Sequence, residues 1–220
     1  MMNKSIITIE EMRQLLISAS DQIIDGEPML TKLDLQIGDG DHGIGMKAGF
    51  SALKTMLKET NFDDFYSFFR ESGITLLRQM GGASGVIFCT MFIGGIDILK
   101  GKTELTASEL AEFFSAGCSE IRRRGKAKPG QKTMVDALQP AADAMTEAAA
   151  AGDGICEVLR AGMDASEAGA EASAQMMPGI GRSRHFESAA LNIPDPGAVS
   201  VSLIFKGIYI RYAELMRSGM

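Results

Sequence analysis

The stretch Lys32–Met46, KLDLQIGDGDHGIGM, sets three carboxylates, Asp34, Asp39 and Asp41, among four glycines ahead of an apolar run. Several chemistries suit such a pattern. Carboxylate oxygens are the preferred ligands of a hard cation such as Mg²⁺. A glycine-rich loop that opens a helix can cradle a pyrophosphate. An acidic turn or a helix N-cap needs no ligand at all. Helix geometry bears on the choice. At about 100° per residue, Asp34 and Asp39 would lie about 140° apart and Asp39 and Asp41 about 160° apart, so no helical face holds all three. They converge only if the chain turns, which Gly38 and Gly40 permit. Three carboxylates in one turn repel each other, and a bound cation resolves the conflict.

Two decoys fail on detail. Counting Asp39 as the first residue of an EF-hand loop puts Ile44 where Gly belongs and Phe50 where Glu belongs. Gly38–Gly43 does match GxGxxG, and Leu33, Leu35 and Ile37 alternate like a strand before it. No βαβ alternation follows, however, and Asp39 and Asp41 would face a pyrophosphate without a counterion. Neither Gly101-Lys102-Thr103 nor KPGQKTM completes a Walker A loop, because Ile96 and Gln131 stand where glycines belong.

Three other loops collect polar residues. MGGASGV, Met80–Val86, is flexible backbone entering an apolar helix, where free N–H groups, the helix dipole and Ser84 suit an anion. Close packing of small residues is the plain alternative. RRRGKAKPGQKTMVD, 122–136, is a basic run in an acidic protein: a solvated face, or a counter-charge for phosphate. Arg182, Arg184 and PDPGAVS, 194–200, form a stiff turn before the last helix. His42 and His185 have no evident triad partner, and a structural role is open to either.

The elements that must hold these loops are helical. Thr8…Glu11 and Thr106…Glu109 have capping-box spacing, each followed by apolar residues at helical intervals. Candidate helices cover 8–25, 43–59, 63–79, 83–100, 106–124, 132–150, 154–176 and 197–217. The β-branched run VSVSLIFKGIYI, 199–210, could also make a strand, but its length and the lack of a partner strand favour helix. The fold class is therefore all-α. In an up-and-down bundle alternate loops share one end, and the loops after the first, third, fifth and seventh helices are the four polar ones. All four then meet on one rim.

Composition agrees. A 220-residue chain that is 45% hydrophobic and 23% charged suits one domain, 1–220, with a real core. With a net charge of −6, nothing points to a nucleic-acid binder. Cys89, Cys118 and Cys156 are odd in number and never in CxxC, which speaks against a disulfide framework or zinc site and for a reducing compartment. MMNKSIITIEEMRQ has no long apolar run or small-residue cleavage site, so a cytoplasmic protein is expected. The uncharged stretch Gln79–Ile96 holds five glycines and reads as a buried helix, not a membrane span.

Taken in order and spacing, LDLQIGDGDHGIGM, GGASG, RGKAKPGQKTMVDAL and DPGAVS resemble the nucleotide-binding L subunit of dihydroxyacetone kinase over nearly the whole chain. The resemblance implies an eight-helix antiparallel barrel with ADP or ATP at one rim. By it, Asp34, Asp39 and Asp41 would bind two Mg²⁺ ions that bridge the phosphates. His42, Gly43, Ile44, Gly45, Ala83 and Ser84 would sit against the phosphates. Gly125, Met134, Arg182, Asp195, Pro196 and Gly197 would line the rest of the pocket. Phosphoryl transfer needs positioning and charge neutralisation more than covalent help, which these residues suit. A K-type subunit would hold the small ketose, and a phosphotransferase-system protein would recharge bound ADP. Two features depart from the family: Gly45 where Asn is usual, and SRHFESAAL, 183–191, in place of the usual Tyr and Glu-Arg pair. Rival readings are a kinase domain for another acceptor, fatty-acid kinases included, and a non-catalytic module that reports nucleotide state. The oligomeric state stays open, a homodimer included.

Overall fold

The computed structural model describes residues 4–218, apart from the side chain of Arg182. Its elements, in chain order, are β1 (Ile6–Thr8), α1 (Ile9–Ile37), α2 (His42–Glu59), α3 (Phe65–Met80), α4 (Gly82–Ile93), β2 (Glu104–Thr106), α5 (Ala107–Gly125), α6 (Val135–Ala150), α7 (Ile155–Ala172) and α8 (Pro196–Ser218). Short 3₁₀ segments cover 96–99, 173–175 and 182–190. Each α-helix packs on the next, and α8 returns to pack on α1, so the eight close into a ring. The expected all-α architecture stands.

Both expected capping boxes form. Thr8 Oγ1 accepts from the Glu11 N–H at 3.3 Å while Glu11 accepts from the Thr8 N–H at 2.9 Å, and Thr106 and Glu109 repeat the exchange. These two helix starts are joined by an antiparallel pairing of β1 with β2, Ile7 opposite Leu105. This end of the ring, the floor, also ties Phe65 N–H to the Lys102 carbonyl and Ile155 N–H to the Lys4 carbonyl.

Several boundaries differ from expectation. The first helix does not stop at 25 but runs 29 residues, through Gly26 and Pro28 to Ile37. At Gly26 the helix faces α8: a Cβ would lie 2.8 Å from Leu203 Cδ1, the end of a side chain that can shift. The same wall pinches at Gly207, where a Cβ would come within 2.5 Å of Ala19 Cα. The strand-like alternation at 33–37 is thus the end of a helix. The fourth helix is broken after Ile93, which leaves α4 with 12 residues; with the 3₁₀ turn that follows, Gly82–Leu99 is an 18-residue stretch long and apolar enough to cross a membrane, as the core helices of many globular proteins also are. Its Phe88, Cys89, Met91 and Phe92 are buried. The seventh helix ends at Ala172 instead of 176.

The β-branched last segment is helical, as expected, because Val201, Ile204, Phe205, Ile208, Tyr212 and Leu215 fall on one buried face at helical spacing. The barrel interior is filled by phenylalanines. Phe69 lies 4.2 Å, ring centre to ring centre, from Phe113, and Phe114 lies 5.0 Å from Phe205.

Candidate functional site

Because α1 continues to Ile37, Asp34 sits in its last turn, buried, with its carboxylate folded over Gly38. A Cβ at Gly38 would lie 2.1 Å from Asp34 Oδ1, so only glycine leaves room for that carboxylate. The chain then reverses at Gly40, whose φ of +80° suits glycine, and starts α2 at His42. The reversal does what a continuous helix could not. One carboxylate oxygen from each of Asp34, Asp39 and Asp41 lies within 4.8 Å of the others. Asp34 Oδ2 also accepts from the His42 N–H at 3.1 Å, which fastens the turn. His42 Nε2 lies 2.8 Å from Ser200 Oγ, and that hydroxyl donates to the Pro196 carbonyl. Burial lowers the His42 pKa, so the ring is a neutral strut between α2 and α8.

The second loop is tighter. Gly81 and Gly82 have φ of +64° and +55°, and α4 begins at once with no side-chain cap from Gly81. The N–H groups of its first turn therefore have no partner inside the helix. The third loop leaves α5 through Lys126 at φ +54° and enters α6 beyond Met134. Asp136 accepts from the Gly130 N–H and, at 2.7 Å, from the Thr133 N–H. The fourth arrives at Asp195, whose Oδ2 accepts from the Ala198 N–H at 2.8 Å and so caps α8. Burial, with Asp136 nearby, raises the Asp195 pKa to about 7.

All four loops line one cavity of about 690 Å³, inside the range typical of small-molecule sites. Of the expected site residues, Asp34, Asp41, His42, Ile44, Gly45, Ala83, Ser84, Gly125, Met134, Asp195, Pro196 and Gly197 line it. Asp39 is exposed beside it in the acidic cluster. Gly43 is turned the other way, its missing Cβ 2.3 Å from Thr31 Oγ1, so it seats α2 on α1. The side chain of Arg182 lies outside the described part. Gly45 is open: a Cβ there would meet only the Met80 carbonyl, at 3.8 Å.

Sequence reasoning missed the apolar wall, Ile37, Ile87, Phe88, Ile121, Ala127 and Ile180, because inward-facing apolar residues look like core. It read Lys132 only as one residue of a basic run that was either a solvated face or a counter-charge for phosphate, yet Lys132 is buried with its ammonium on backbone carbonyls. The nearby Pro129-Gly130 marks a turn, but nothing local in the sequence signals the burial of Lys132.

Charge decides what the cavity can hold. Its described lining carries Asp34, Asp41 and Asp195 but a single cation, Lys132, whose ammonium donates to three backbone carbonyls. A polyanion set against these described residues would need positive charge beyond what they supply. The carboxylate cluster can supply it by holding hard divalent cations, and the open first turn of α4 adds N–H donors.

Comparison with known proteins agrees with that geometry. The DAK2 domain family matches residues 36–210. The chain is 33% identical over 185 residues to the PEP-dependent dihydroxyacetone kinase, ADP-binding subunit DhaL, of Escherichia coli (strain K12), covering 84% of this chain and 88% of the relative. It is 37% identical over 174 residues to the corresponding subunit of dihydroxyacetone kinase 2 of Listeria innocua, covering 78% and 80%. The crystal structure of the dihydroxyacetone kinase from C. freundii in complex with AMP-PNP and Mg²⁺ superposes with a TM-score of 0.70 at 26% identity, over 90% of this chain. This chain spans only 33% of that longer kinase chain. The ring of eight helices, the acidic turn at its rim and these matches lead to one conclusion: the chain belongs to the DAK2 domain family.

Proposed function

We propose that this chain is the nucleotide-binding subunit of a dihydroxyacetone-type kinase. It holds ADP or ATP with magnesium and passes the phosphoryl group to a hydroxyl of a small ketose on a separate K-type subunit. The observation that carries the reading is the pairing of the rim cavity with three clustered carboxylates and, among the described residues, no available cation. Asp34, Asp39 and Asp41 would hold the ions, two by the family resemblance. Magnesium, when bound, neutralises phosphate charge and polarises the reacting phosphoryl group.

The chain's own residues do the rest. The N–H groups opening α4, at Ala83 and Ser84, are donors aimed into the rim. Ile87, Ile121 and Ile180 give an apolar bed for a base and keep water off it. The turn at Asp195–Gly197 closes one wall. Among the described residues no second layer covers the mouth, and a ketose of few atoms gains at most about 1.5 kcal/mol per non-hydrogen atom, so it needs an enclosing partner. Excluding water from the reacting phosphoryl group needs the same closure.

The names of the bacterial relatives, PEP-dependent or PTS-dependent, support a phosphotransferase-system protein as the donor that recharges bound ADP. The buried thiols of Cys89 and Cys118 support a cytoplasmic setting.

Calorimetric titration tests the reading. ADP should bind the chain only with Mg²⁺ present, and Asp39→Ala should abolish binding while leaving the fold intact. Sugar phosphate should form from ATP and dihydroxyacetone only after a K-type subunit is added. ADP binding by Asp39→Ala at parent affinity, or turnover by this chain alone, would overturn it.

A further inference from the structure

Among the described residues, Lys132 is the only Lys or Arg that is buried, at 1% exposure. Its φ is +58°, a region that L side chains rarely adopt. Backbone held in that state persists only where its surroundings over-determine it. Glycine would suit the position better, so the side chain itself is the part to explain.

The ammonium explains it. Lys132 Nζ donates to the Ser173 carbonyl at 2.7 Å, to the Ala174 carbonyl at 3.5 Å and to the Ile193 carbonyl. An ammonium has three hydrogens, and three carbonyls account for them, which leaves none for a ligand. Those carbonyls belong to two separate segments: the turn after α7 and the chain entering Asp195. The same two segments are cross-bonded, Asp195 N–H to Ser173 Oγ at 2.9 Å and Asn192 N–H to the Ala174 carbonyl at 2.8 Å. On its own side, Lys132 belongs to the turn that Asp136 holds through Gly130 and Thr133. Gln131, its neighbour, accepts from the Gly179 N–H at 3.0 Å. Asp195 and Asp136 are the carboxylates that face the ammonium.

We propose that Lys132 is a positioning residue: its buried ammonium binds the 130–134 turn to the 173–174 and 193–195 segments, and so sets the wall of the nucleotide cavity without touching the nucleotide. The proposal rests on the function proposed above.

The test uses Lys132→Gly, which keeps the backbone at ease and removes only the tether, and Lys132→Met, which keeps the stem without the charge. ADP titration with Mg²⁺ should show affinity at least tenfold weaker in both. Hydrogen exchange should quicken in 173–180 and 192–197 while 9–59 keeps its parent protection. With Lys132→Gly, n-butylammonium, which reproduces the missing side chain, should restore affinity, and butan-1-ol should not. Affinity within twofold of the parent in either folded variant would overturn the proposal, as would equal rescue by butan-1-ol or no rescue by the amine. If Lys132→Gly does not fold, Lys132→Met gives the same comparison. If the parent itself binds no ADP, the functional reading falls, and exchange in 173–197 alone decides the role of Lys132: unchanged exchange in the variants overturns it.

Discussion

At the floor of the ring, α1, α3 and α5 begin on Thr8, Asp64 and Thr106, and each side chain accepts the N–H three residues on. At the rim, α2, α4 and α6 begin on Asp41, Gly81 and Met134, and none of these caps its own helix. Each end has one exception: α7 starts on Gly154 without a side-chain cap, and α8 is capped by Asp195. The contrast has a physical meaning. A capped end is finished, with its donors satisfied inside the chain. At the rim, α2 and α6 have first donors taken by neighbouring turns, His42 N–H by Asp34 and Val135 N–H by Thr133 Oγ1, whereas α4 opens on two glycines with no side-chain cap, which suits donors kept for something that is not protein. Carboxylates divide the same way. Those at the floor serve caps, whereas those at the α1–α2 turn crowd together.

The comparison breaks if floor and rim substitutions have the same signature. The largest effect is expected deep in the barrel wall. Phe69→Ala should cost about 3–5 kcal/mol of stability, read from urea unfolding, because it empties the space beside Phe113. Its ADP affinity, corrected for the folded fraction, should match the parent's.

Next comes a rim effect that depends on pH. Asp195 has a folded pKa of about 7, above the unfolded value. The folded state therefore holds more protons between about pH 4 and 7, and stability falls as pH rises through that window, at most about 1.4 kcal/mol per pH unit from one group. Asp195→Asn keeps the acceptor for the Ala198 N–H and removes the titration. Urea midpoints from pH 5 to 7.5 should show the variant gaining on the parent up to about pH 7, then a constant difference. A constant difference throughout would contradict the assigned shift.

The smallest effect sharpens the contrast. Thr106→Ala should cost about 1 kcal/mol and leave ADP binding untouched, since its hydroxyl serves only a floor cap. A loss of affinity there would mean that floor and rim are coupled.

How much was legible in the sequence follows the same division. The capping boxes named the floor correctly, because Thr-x-x-Glu is a local signal that forms by itself. The end of α1 was misplaced because Gly26 was taken as a joint between helices, whereas the helix runs through it and Gly26 faces Leu203 of α8, a residue far away in the sequence. Where Asp34 points was therefore out of reach, although its type was informative. The four rim loops could be grouped by alternation alone, and they do meet. Lys132 could not be separated from its basic neighbours, since burial is a property of the finished ring. The 3₁₀ segment at 182–190 has no helical periodicity to find, and Glu187 within it takes a φ of +44°.

The wall shared by α1 and α8 also sets an order of events. Pinched at Gly26 and Gly207, it joins the first helix to the last, so the ring cannot close until the whole chain has been made. During synthesis α1 waits with its apolar stripe uncovered, and so does α7 on the far side of the gap. Contacts between such distant segments slow folding and lengthen the exposure of sticky surface. The β1–β2 pairing, available once residue 106 has emerged, is an early stitch that holds the first four helices in an open arc while the other four are added.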